Sequence, residues 1–495
     1  MDLSLLLLKV MITIALLGFF SKLIQICDAL ILKPERLRSK LRKQGIKGPP
    51  PSFLLGNIND IKKMKSTASK TQPGEQALTH NCSSAVFPFF DLWRKQYGST
   101  FMFSLGNIQI LHMNHPDVVK EMGTCTSLNL GKPSYQYKKL GALLGHGILT
   151  SNGARWAHQR KILAPELYVG KVKDMMSLMV ESSITLVNSW TNLIESEGGV
   201  ADVHVDEYMR SFSGDVISRA CFGSNYSEGE EIFSKLNEVQ ELLSKKVFSS
   251  GIPVLRHLPT KSKRETWRLE KEVHSLIMKV VKERKERASE NDLLQMIIEV
   301  SATWTLTLLA SNPEWQQRVR TEVLEICADQ MPEAGMVRKM KTLTMVIHES
   351  LRLYPPVPVV SREAFQDMKF GDINVPKGVI VWTLMVALQQ DPDIWGPDAN
   401  IFRPESRGVL GSVLVGFNGF ANGVSGACKL PYVYMPFGVG PHICAGQHFA
   451  RAELKILLAL IVSNSFSLSP KYRHSPAMSL LIEPEHGVNL LIKKL

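Results

Sequence analysis

The chain has 495 residues, of which 44% are hydrophobic and 21% are charged. This composition excludes a disordered chain, a collagen-like chain and a small disulfide-linked scaffold. The length allows one large domain or about three of ordinary size. The formal net charge of +12 points to an anionic membrane surface, an acidic protein partner or nucleic acid.

The N-terminal segment predicts a membrane anchor. The run from Leu3 to Phe20 is apolar except for Lys9, and the apolar pattern continues to Ile26. About twenty such residues span a bilayer as a helix. A cleaved signal peptide is the alternative, but it carries basic residues before its apolar core. Because Asp2 precedes the core here, we predict a transmembrane helix within residues 1–30.

A basic cluster and a proline run follow this segment. Half of the net charge lies in seven basic residues opposed only by Glu35, namely Lys33, Arg36, Arg38, Lys40, Arg42, Lys43 and Lys47. Basic residues stay cytoplasmic, so the main body is expected in the cytosol. Since no other basic stretch is interleaved with aromatic residues, nucleic acid is not expected as a partner. Pro49–Pro51 predict a stiff connector, which makes residues 31–51 a hinge and 52–495 the main domain.

The main domain is predicted to be mainly helical with minor sheet. Apolar residues recur at three-to-four-residue spacing in Asp174–Leu193, Ile232–Lys245, Arg268–Ala288, Trp304–Cys327 and Gln447–Ser463. A hairpin is predicted for Thr100–Leu105 with Gln109–Met113. A second short strand pair is predicted within Phe370–Ile380, turning at Pro376–Gly378. The glycine-rich stretch Gly408–Gly426 predicts a long loop and lacks the spacing of a dinucleotide site.

The strongest chemical signal is the stretch Pro436–Gly446, which precedes a predicted helix. Its glycines allow the backbone to approach a flat partner closely. The positive end of the helix that begins near Gln447 lies at Cys444 and favours a thiolate. Such a thiolate suits an axial haem ligand, whereas the alternative is a buried structural cysteine. The seven cysteines form no C-x-x-C pair, so zinc is not expected.

Two further patterns place charged residues on predicted helices. Glu349 and Arg352 are three residues apart before a Tyr-Pro-Pro stop, so they share a helix face. The apolar residues around them predict a buried pair, which must then be fully hydrogen-bonded. Trp156 and Arg160 are four residues apart and can point at one acidic group. Alone, either pattern is also typical of an ordinary helix.

Together these features resemble the cytochrome P450 superfamily of haem-thiolate monooxygenases. The pattern F-x-x-G-x-[RH]-x-C-x-G at Phe437–Gly446 follows W-x-x-x-R and E-x-x-R in the family's order and at about its spacing. The likeness covers nearly the whole chain and implies the mainly helical P450 fold with minor β-structure. Trp156–Glu166, Asp391–Gly396 and Phe420–Ser425 are similar to the plant branch that oxidises gibberellins and related diterpenoids.

The resemblance implies a role for each matching residue. Cys444 would ligate the iron of haem b, and Phe437 would pack near it. Four residues would donate to the haem propionates, namely Trp156, Arg160, Arg362 and His442. Glu349 and Arg352 would hold the core beside the haem without reacting. The loop Gly131–Thr150 would line the substrate pocket. Also implied are O2, an NADPH-dependent cytochrome P450 reductase, a hydrophobic small-molecule substrate and single-pass attachment to the endoplasmic reticulum membrane.

One departure from the family concerns its central helix, which usually carries [AG]-G-x-[DE]-T-[TS]. The acid and the alcohol of that motif relay protons to bound dioxygen. Here Asp292–Glu299 resembles the stretch well before the motif and Val300–Trp304 the stretch just after it, as if about forty residues were absent. The acid and alcohol positions then fall on Met296 and Ile297, which transfer no protons. No catalytic residue is therefore assigned, and a truncated central helix is predicted.

A second departure follows Phe402–Glu405. An arginine that usually joins Glu349 and Arg352 is replaced by Ser406, and Arg403 and Arg407 are the available substitutes. Because a lost helix removes much of a core, we expect poor folding or weak haem binding. Two alternatives to a monooxygenase stay open. One is a haem-thiolate isomerase or dehydratase acting on a peroxide, and the other is a catalytically defective isoform.

Overall fold

The computed structural model describes residues 3–70, 80–222, 235–236, 238–240, 242, 261–283, 292–328, 330–405 and 419–495. Helices predominate over sheet in this part of the chain, as the sequence predicts. Most of the predicted helix Ile232–Lys245, the last residues of Arg268–Ala288 and most of the glycine-rich stretch Gly408–Gly426 lie outside the described residues.

The N-terminal segment is one long helix, apolar in its first part and basic in its last. Helix α1 (Leu3–Cys27) continues through a π-helical turn (Asp28–Leu32) into α2 (Lys33–Arg42). The helix over residues 7–42 contains a stretch long and apolar enough to cross a membrane, and that stretch is not buried, whereas Pro34 and Leu41 of α2 are buried. The basic part of the predicted hinge is therefore helical as far as Arg42. Ion pairs between Glu35 and two arginines of the same helix stabilise it.

The proline run lies against the main body. The backbone N–H of Met102 donates to the carbonyl of Lys47 at 2.9 Å. Gly48 packs so closely on the Met102 carbonyl that a Cβ would not fit there. These contacts attach the start of the proline run to the strand that begins at Thr100.

The helices of the main body follow in chain order. They are α3 (Ile58–Lys70), α4 (Cys82–Val86), α5 (Pro88–Tyr97), α6 (Pro116–Thr124), α7 (Ser134–Leu144), α8 (Gly153–Glu166), α9 (Val169–Asp174), α10 (Met176–Ser196), α11 (Val205–Phe222), α12 (Lys261–Glu283), α13 (Asp292–Ser311), α14 (Pro313–Cys327), α15 (Ala334–Lys339), α16 (Lys341–Leu353), α17 (Met385–Gln389), α18 (Pro392–Trp395), α19 (Val424–Ala427) and α20 (Gln447–Ile461).

The strands form a five-stranded sheet and three smaller ones. They are β1 (Thr100–Leu105), β2 (Ile108–Met113), β3 (Leu130–Gly131), β4 (Val200–His204), β5 (Val359–Ala364), β6 (Met368–Phe370), β7 (Ile373–Val375), β8 (Ile380–Leu384), β9 (Asn464–Leu468), β10 (Pro476–Met478), β11 (Ile482–Pro484) and β12 (Asn489–Lys494). The larger sheet has the order β1-β2-β8-β5-β3, with β2 and β8 parallel. The others are β4-β12-β9, β6-β7 and β10-β11.

The predicted hairpin is confirmed as β1 and β2, but the second strand pair is placed differently. Strands β6 and β7 turn at Gly371, which has a φ of 54°, and not at Pro376–Gly378. That later turn instead connects β7 to β8 of the five-stranded sheet. The local turn signal was thus correct, whereas the pairing depended on contacts distant in sequence.

The predicted helix Trp304–Cys327 is two helices, because Pro313 lacks an N–H group and starts α14. The first of them, α13, is nearly all buried from residue 298 to residue 310. Its Trp304 ring stacks on Tyr354 with centroids 3.9 Å apart, and its indole N–H donates to the Ile482 carbonyl at 2.8 Å. Around α13 lie α11, α16 and α20, so it forms the centre of the core.

Candidate functional site

The cysteine loop is a tight turn that ends where α20 begins. The Cys444 N–H donates to the Phe437 carbonyl at 2.7 Å, which closes the loop. Gly438 and Gly440 have φ values of 73° and 65°, a region that favours glycine. At Gly440 a Cβ would also collide with the Gly123 carbonyl at the end of α6. The two glycines therefore shape the loop that holds the thiol.

The electrostatics of the Cys444 thiol differ from the sequence expectation. Burial raises its pKa, while a hydrogen bond from the Gly446 N–H and the charge of Arg160 lower it. Burial has the largest effect, so the pKa is raised overall.

Several basic and aromatic side chains gather beside this loop. The rings of Trp156 on α8 and His442 lie with their centroids 4.2 Å apart. The Nζ of Lys132 lies 5.3 Å from the Trp156 ring centroid. Arg160 on α8 and Arg362 on β5 act electrostatically on His442. The structure thus brings together the four residues that the sequence assigned to propionates, and their role toward haem stays a prediction.

The positive charges in this cluster are crowded. Burial and the charges of Arg362, Lys132 and Arg160 lower the pKa of His442 to about 3, so its ring is neutral. Burial, followed by the charges of Arg362 and Arg160, lowers the pKa of Lys132 to about 7. Burial lowers the pKa of Arg362 to about 10. Among the described residues, no carboxylate lies within 4 Å of Lys132, Arg160 or Arg362. This group of positive charges therefore has no neighbouring anion to balance it.

These residues fit the haem that the sequence implies. The thiol lies in a glycine-shaped loop that can face a flat group. The cations beside it would be stabilised by the carboxylates of such a group. Arg160 links the two features, because its charge acts on both Cys444 and His442.

Lys132 is the residue that sequence reasoning missed. A single lysine in a connecting segment has no pattern to mark it, and it joins the cluster through the sheet position of β3. Its Nζ donates to the Ser151 carbonyl at 3.0 Å. The segment Gly131–Thr150, predicted as a loop, contains helix α7, which corrects its secondary structure. Its place beside a substrate stays a prediction.

Glu349 and Arg352 form the predicted buried pair. Both side chains are fully buried, and two bonds of 2.8 and 3.0 Å join them. The remaining guanidinium donor reaches the carbonyls of Gln389 and Ala399, each at 2.7 Å. This pair fixes α16 to the segment that precedes the cysteine loop. The expectation that the pair is buried and hydrogen-bonded is confirmed.

A backbone donor also reaches this pair. The backbone N–H of Arg403 donates to Glu349 at 2.9 Å, whereas its guanidinium bonds Asp398 at 3.1 Å. Arg407 lies outside the described residues. Among the described residues, a main-chain donor therefore adds to the two that Arg352 supplies to the Glu349 carboxylate.

Helix α13 supplies no acid–alcohol pair at the expected place. Met296 is buried and Ile297 packs on the core. The nearby acid Glu299 bonds Arg210 on α11 at 3.2 Å, and burial raises its pKa to about 7. Ser301 donates to the Ile297 carbonyl at 2.6 Å. The Glu299 carboxylate therefore already has a partner on α11, and the Ser301 hydroxyl has one within α13.

The three threonines of α13 are packing residues. Thr303, Thr305 and Thr307 are all buried. The hydroxyls of Thr305 and Thr307 donate to carbonyls one turn earlier, at 2.7 and 2.8 Å.

The comparisons with known proteins agree with this site. The sequence profile of the family described as Cytochrome P450 matches residues 77–301 and 298–486. A rice protein, Cytochrome P450 714C2, is 45% identical over 94% of both chains. Cytochrome P450 714A2 of Arabidopsis thaliana is 40% identical over 96% of both, and Cytochrome P450 714B3 of Zea mays is 38% identical over 98% of this chain and 96% of its own. The chain therefore belongs to the cytochrome P450 family of monooxygenases. Within that family it is similar to a group of plant proteins.

The comparisons also bear on the central helix. The family profile matches in two pieces that meet at residues 298–301, within α13. The alignment with the rice relative spans 504 positions but includes only 94% of the 495 residues here, so roughly 40 of its positions have no counterpart in this chain. Both observations agree with the predicted loss of a segment before residue 300.

Proposed function

We propose that this chain is a haem-thiolate monooxygenase that hydroxylates a hydrophobic small molecule of the gibberellin type, a diterpenoid. It would use O2 and electrons from an NADPH-dependent reductase. The observation that carries the proposal is Cys444 in its glycine-shaped loop beside Arg160, Arg362 and Lys132, a cation cluster without an anion. The diterpenoid class rests on the sequence likeness at Trp156–Glu166, Asp391–Gly396 and Phe420–Ser425.

The chain's residues would hold and orient the haem, which supplies the oxygen chemistry when bound. Cys444 would ligate the iron, with the Gly446 N–H donating to its sulfur. Arg160, Arg362 and Lys132 would hold the propionates by charge-assisted hydrogen bonds. His442 is neutral because of its low pKa, so it would contribute one N–H donor and no charge.

The domain organisation and location are part of this proposal. Residues 1–30 would cross the endoplasmic reticulum membrane once, residues 31–51 would connect, and residues 52–495 would form the haem domain in the cytosol. The exposed apolar helix and the basic residues just after it support this arrangement. The reductase would then approach from the cytosolic side.

A second candidate is a haem-binding but catalytically defective form. It is favoured by the break in the family match at residues 298–301 and by Met296 and Ile297 at the proton-relay positions. Without an acid and an alcohol, proton delivery would depend on water alone. Such a chain would bind haem and consume NADPH with little product.

The test is a carbon monoxide difference spectrum of the full chain reduced in membranes, followed by turnover with reductase. A thiolate-type Soret band with diterpenoid hydroxylation supports the first candidate. The same band with NADPH use but no product supports the second. Absence of the band contradicts both, and turnover of a peroxide without reductase would point to an isomerase or dehydratase.

A further inference from the structure

A cavity outside the cysteine loop combines an apolar floor with a basic rim. It has a volume of about 280 Å³ and lies between α9, α10, α15, α16 and α20. Two helices contribute matching stripes to its walls. Residues 344, 347, 348 and 351 of α16 and residues 448, 451, 452 and 455 of α20 each repeat at the spacing of one helix face.

The floor of the cavity is apolar. Its buried residues come from four helices and are Val172, Met176, Val337, Ile347 and Leu351. Val169 lines the same cavity and is 59% exposed, next to Tyr168, which is 60% exposed. An apolar body can thus rest on this floor and extend toward α9.

The rim carries four basic side chains, namely Lys173, Arg338, Arg451 and Lys455. In the described part of the chain, no carboxylate lies within 4 Å of any of them. Glu322 acts on Lys455 from a distance, but it already accepts the backbone N–H groups of Thr342 and Leu343 at 2.7 and 3.0 Å. The positive rim therefore has no internal counter-charge in contact.

Arg451 connects this rim to the cysteine loop. Its Nε is buried and lacks a hydrogen-bond acceptor among the described residues. Its guanidinium carbon lies 5.0 Å from the centroid of the Phe437 ring, and the Phe437 carbonyl accepts the Cys444 N–H. The Nε itself is shielded from the cavity, but Arg451 as a whole is half-buried and lines it, so its positive charge would stabilise an anionic oxygen there.

The two histidines of the cavity add no charge. Burial and the charges of Arg451 and Lys455 lower the pKa of His348 to about 4. Burial and Arg451 also lower the pKa of His448. His348 further shares a hydrogen bond of 2.7 Å with the Tyr434 hydroxyl. The anion-binding capacity of the rim therefore lies in its lysines and arginines.

We propose that this cavity binds a small amphipathic carboxylic acid, with its carboxylate at Arg451 and Lys455 and its apolar body on Val172, Val337 and Leu351. This site is separate from the haem and substrate sites proposed above. Through Arg451 and Phe437 it touches the residue that closes the cysteine loop. The apolar body of the acid is either a linear chain or a ring system, because apolar contacts with the floor do not distinguish between the two.

The experiment measures binding of three probes by equilibrium dialysis against the full chain in phospholipid nanodiscs, with empty nanodiscs as the blank. The probes are octanoate, 1-adamantanecarboxylate and neutral octanol. Saturable binding of either acid at least about tenfold tighter than octanol supports the proposal. Octanoate binding in preference to the adamantane acid identifies a chain-like ligand, and the reverse identifies a ring-like one.

Variants locate the binding. R451Q and K455Q are each expected to weaken acid binding about tenfold while leaving octanol unchanged. A452L, which fills the cavity and keeps every charge, is expected to abolish it. K171Q is the matched control, because Lys171 lies on α9 paired with Glu166 and does not line the cavity.

Three results would overturn the proposal. These are no saturable acid binding, equal binding of octanol, or acid binding that A452L leaves intact. The last would place the acid in the haem or substrate pocket. Because haem content is read separately from the Soret band, failure here is distinguishable from failure of the proposed function. If R451Q does not fold, K455Q and A452L carry the test.

Discussion

Arg403 contacts Glu349 through its backbone N–H, at 2.9 Å, and not through its guanidinium. The guanidinium instead bonds Asp398 on its other side. The buried carboxylate of Glu349 thus receives two donors from Arg352 and one from the main chain. An altered sequence after residue 405 has therefore not left this carboxylate short of partners.

This arrangement predicts that the Arg403 side chain is dispensable for the pair. R403A should lower the free energy of unfolding by about 1 kcal/mol, because only the half-buried pair with Asp398 is lost. R403P removes the N–H donor and should cost about 1–3 kcal/mol or more. Urea unfolding of the two variants checks this. An equal loss for both would mean that the guanidinium also supports Glu349.

Breaking the buried pair itself should be severe. R352L leaves the Glu349 carboxylate buried without its charge partner and is expected to cost about 3–5 kcal/mol. R268Q is the control, since its ion pairs with Glu265 and Glu272 are exposed and contribute little to stability. Soluble yield and thermal unfolding measure the difference. Similar losses for R352L and R268Q would contradict the role of burial.

Gly440 should tolerate no side chain. G440A would place a Cβ against the Gly123 carbonyl at a φ of 65°, so we expect a loss of about 1–3 kcal/mol or more and reduced haem content. G170A is the matched control, because nothing lies within 4 Å of its Cβ position. The two are compared by thermal unfolding and by the Soret absorbance per mole of protein. Normal haem content in G440A would show that the loop can relax.

Cys444 should be the cysteine that determines the haem spectrum. C444S is expected to abolish the thiolate-type band of the reduced carbon monoxide complex, since a serine hydroxyl is a poor iron ligand. C125S, at the half-buried Cys125, should leave the band intact. R362Q should keep the band position but lower the haem affinity, because a positive charge of the cluster is lost. A thiolate-type band in C444S would assign the ligand to another cysteine.

Stability should fall in mild acid because of buried neutral histidines. His80 and His474 share the Tyr354 hydroxyl at 2.7 and 3.0 Å, and burial lowers the pKa of each to about 4. The unfolded chain, with pKa near 6.5, binds more protons between those values. Their contribution is therefore complete above about pH 6.5 and is lost as the pH falls toward 4.

The measurement is the unfolding temperature as a function of pH for the wild type and H474Q. The pH dependence between 6.5 and 4 should be shallower in H474Q, by on the order of 1 kcal/mol for each pKa unit of the lost shift. H486Q is the control, because His486 is an exposed residue of the same region. An unchanged slope in H474Q would show that His474 is not the group that titrates.

The sequence predicted the parts of the site that depend on local pattern. The cysteine loop, the helix after it and the buried pair on α16 each follow from residues close together in the chain. Lys132 could not be found in this way, since it reaches the cluster only when β3 pairs with β5. The partner of Glu349 was also not predictable, because a backbone N–H leaves no mark in a sequence.

The sequence by itself determined the family, the apolar N-terminal helix, the mainly helical class and the absence of the acid–alcohol motif. These features follow from the periodicity, spacing and type of residues near one another in the chain, so they can be predicted without knowledge of distant contacts. Only the tertiary structure decided which charges are buried together. It placed Arg160, Arg362 and Lys132 close enough to His442 to lower its pKa. It also buried the Arg451 Nε without a hydrogen-bond acceptor among the described residues. Burial and mutual charge depend on packing between helices and strands far apart in the chain, so no local pattern can specify them.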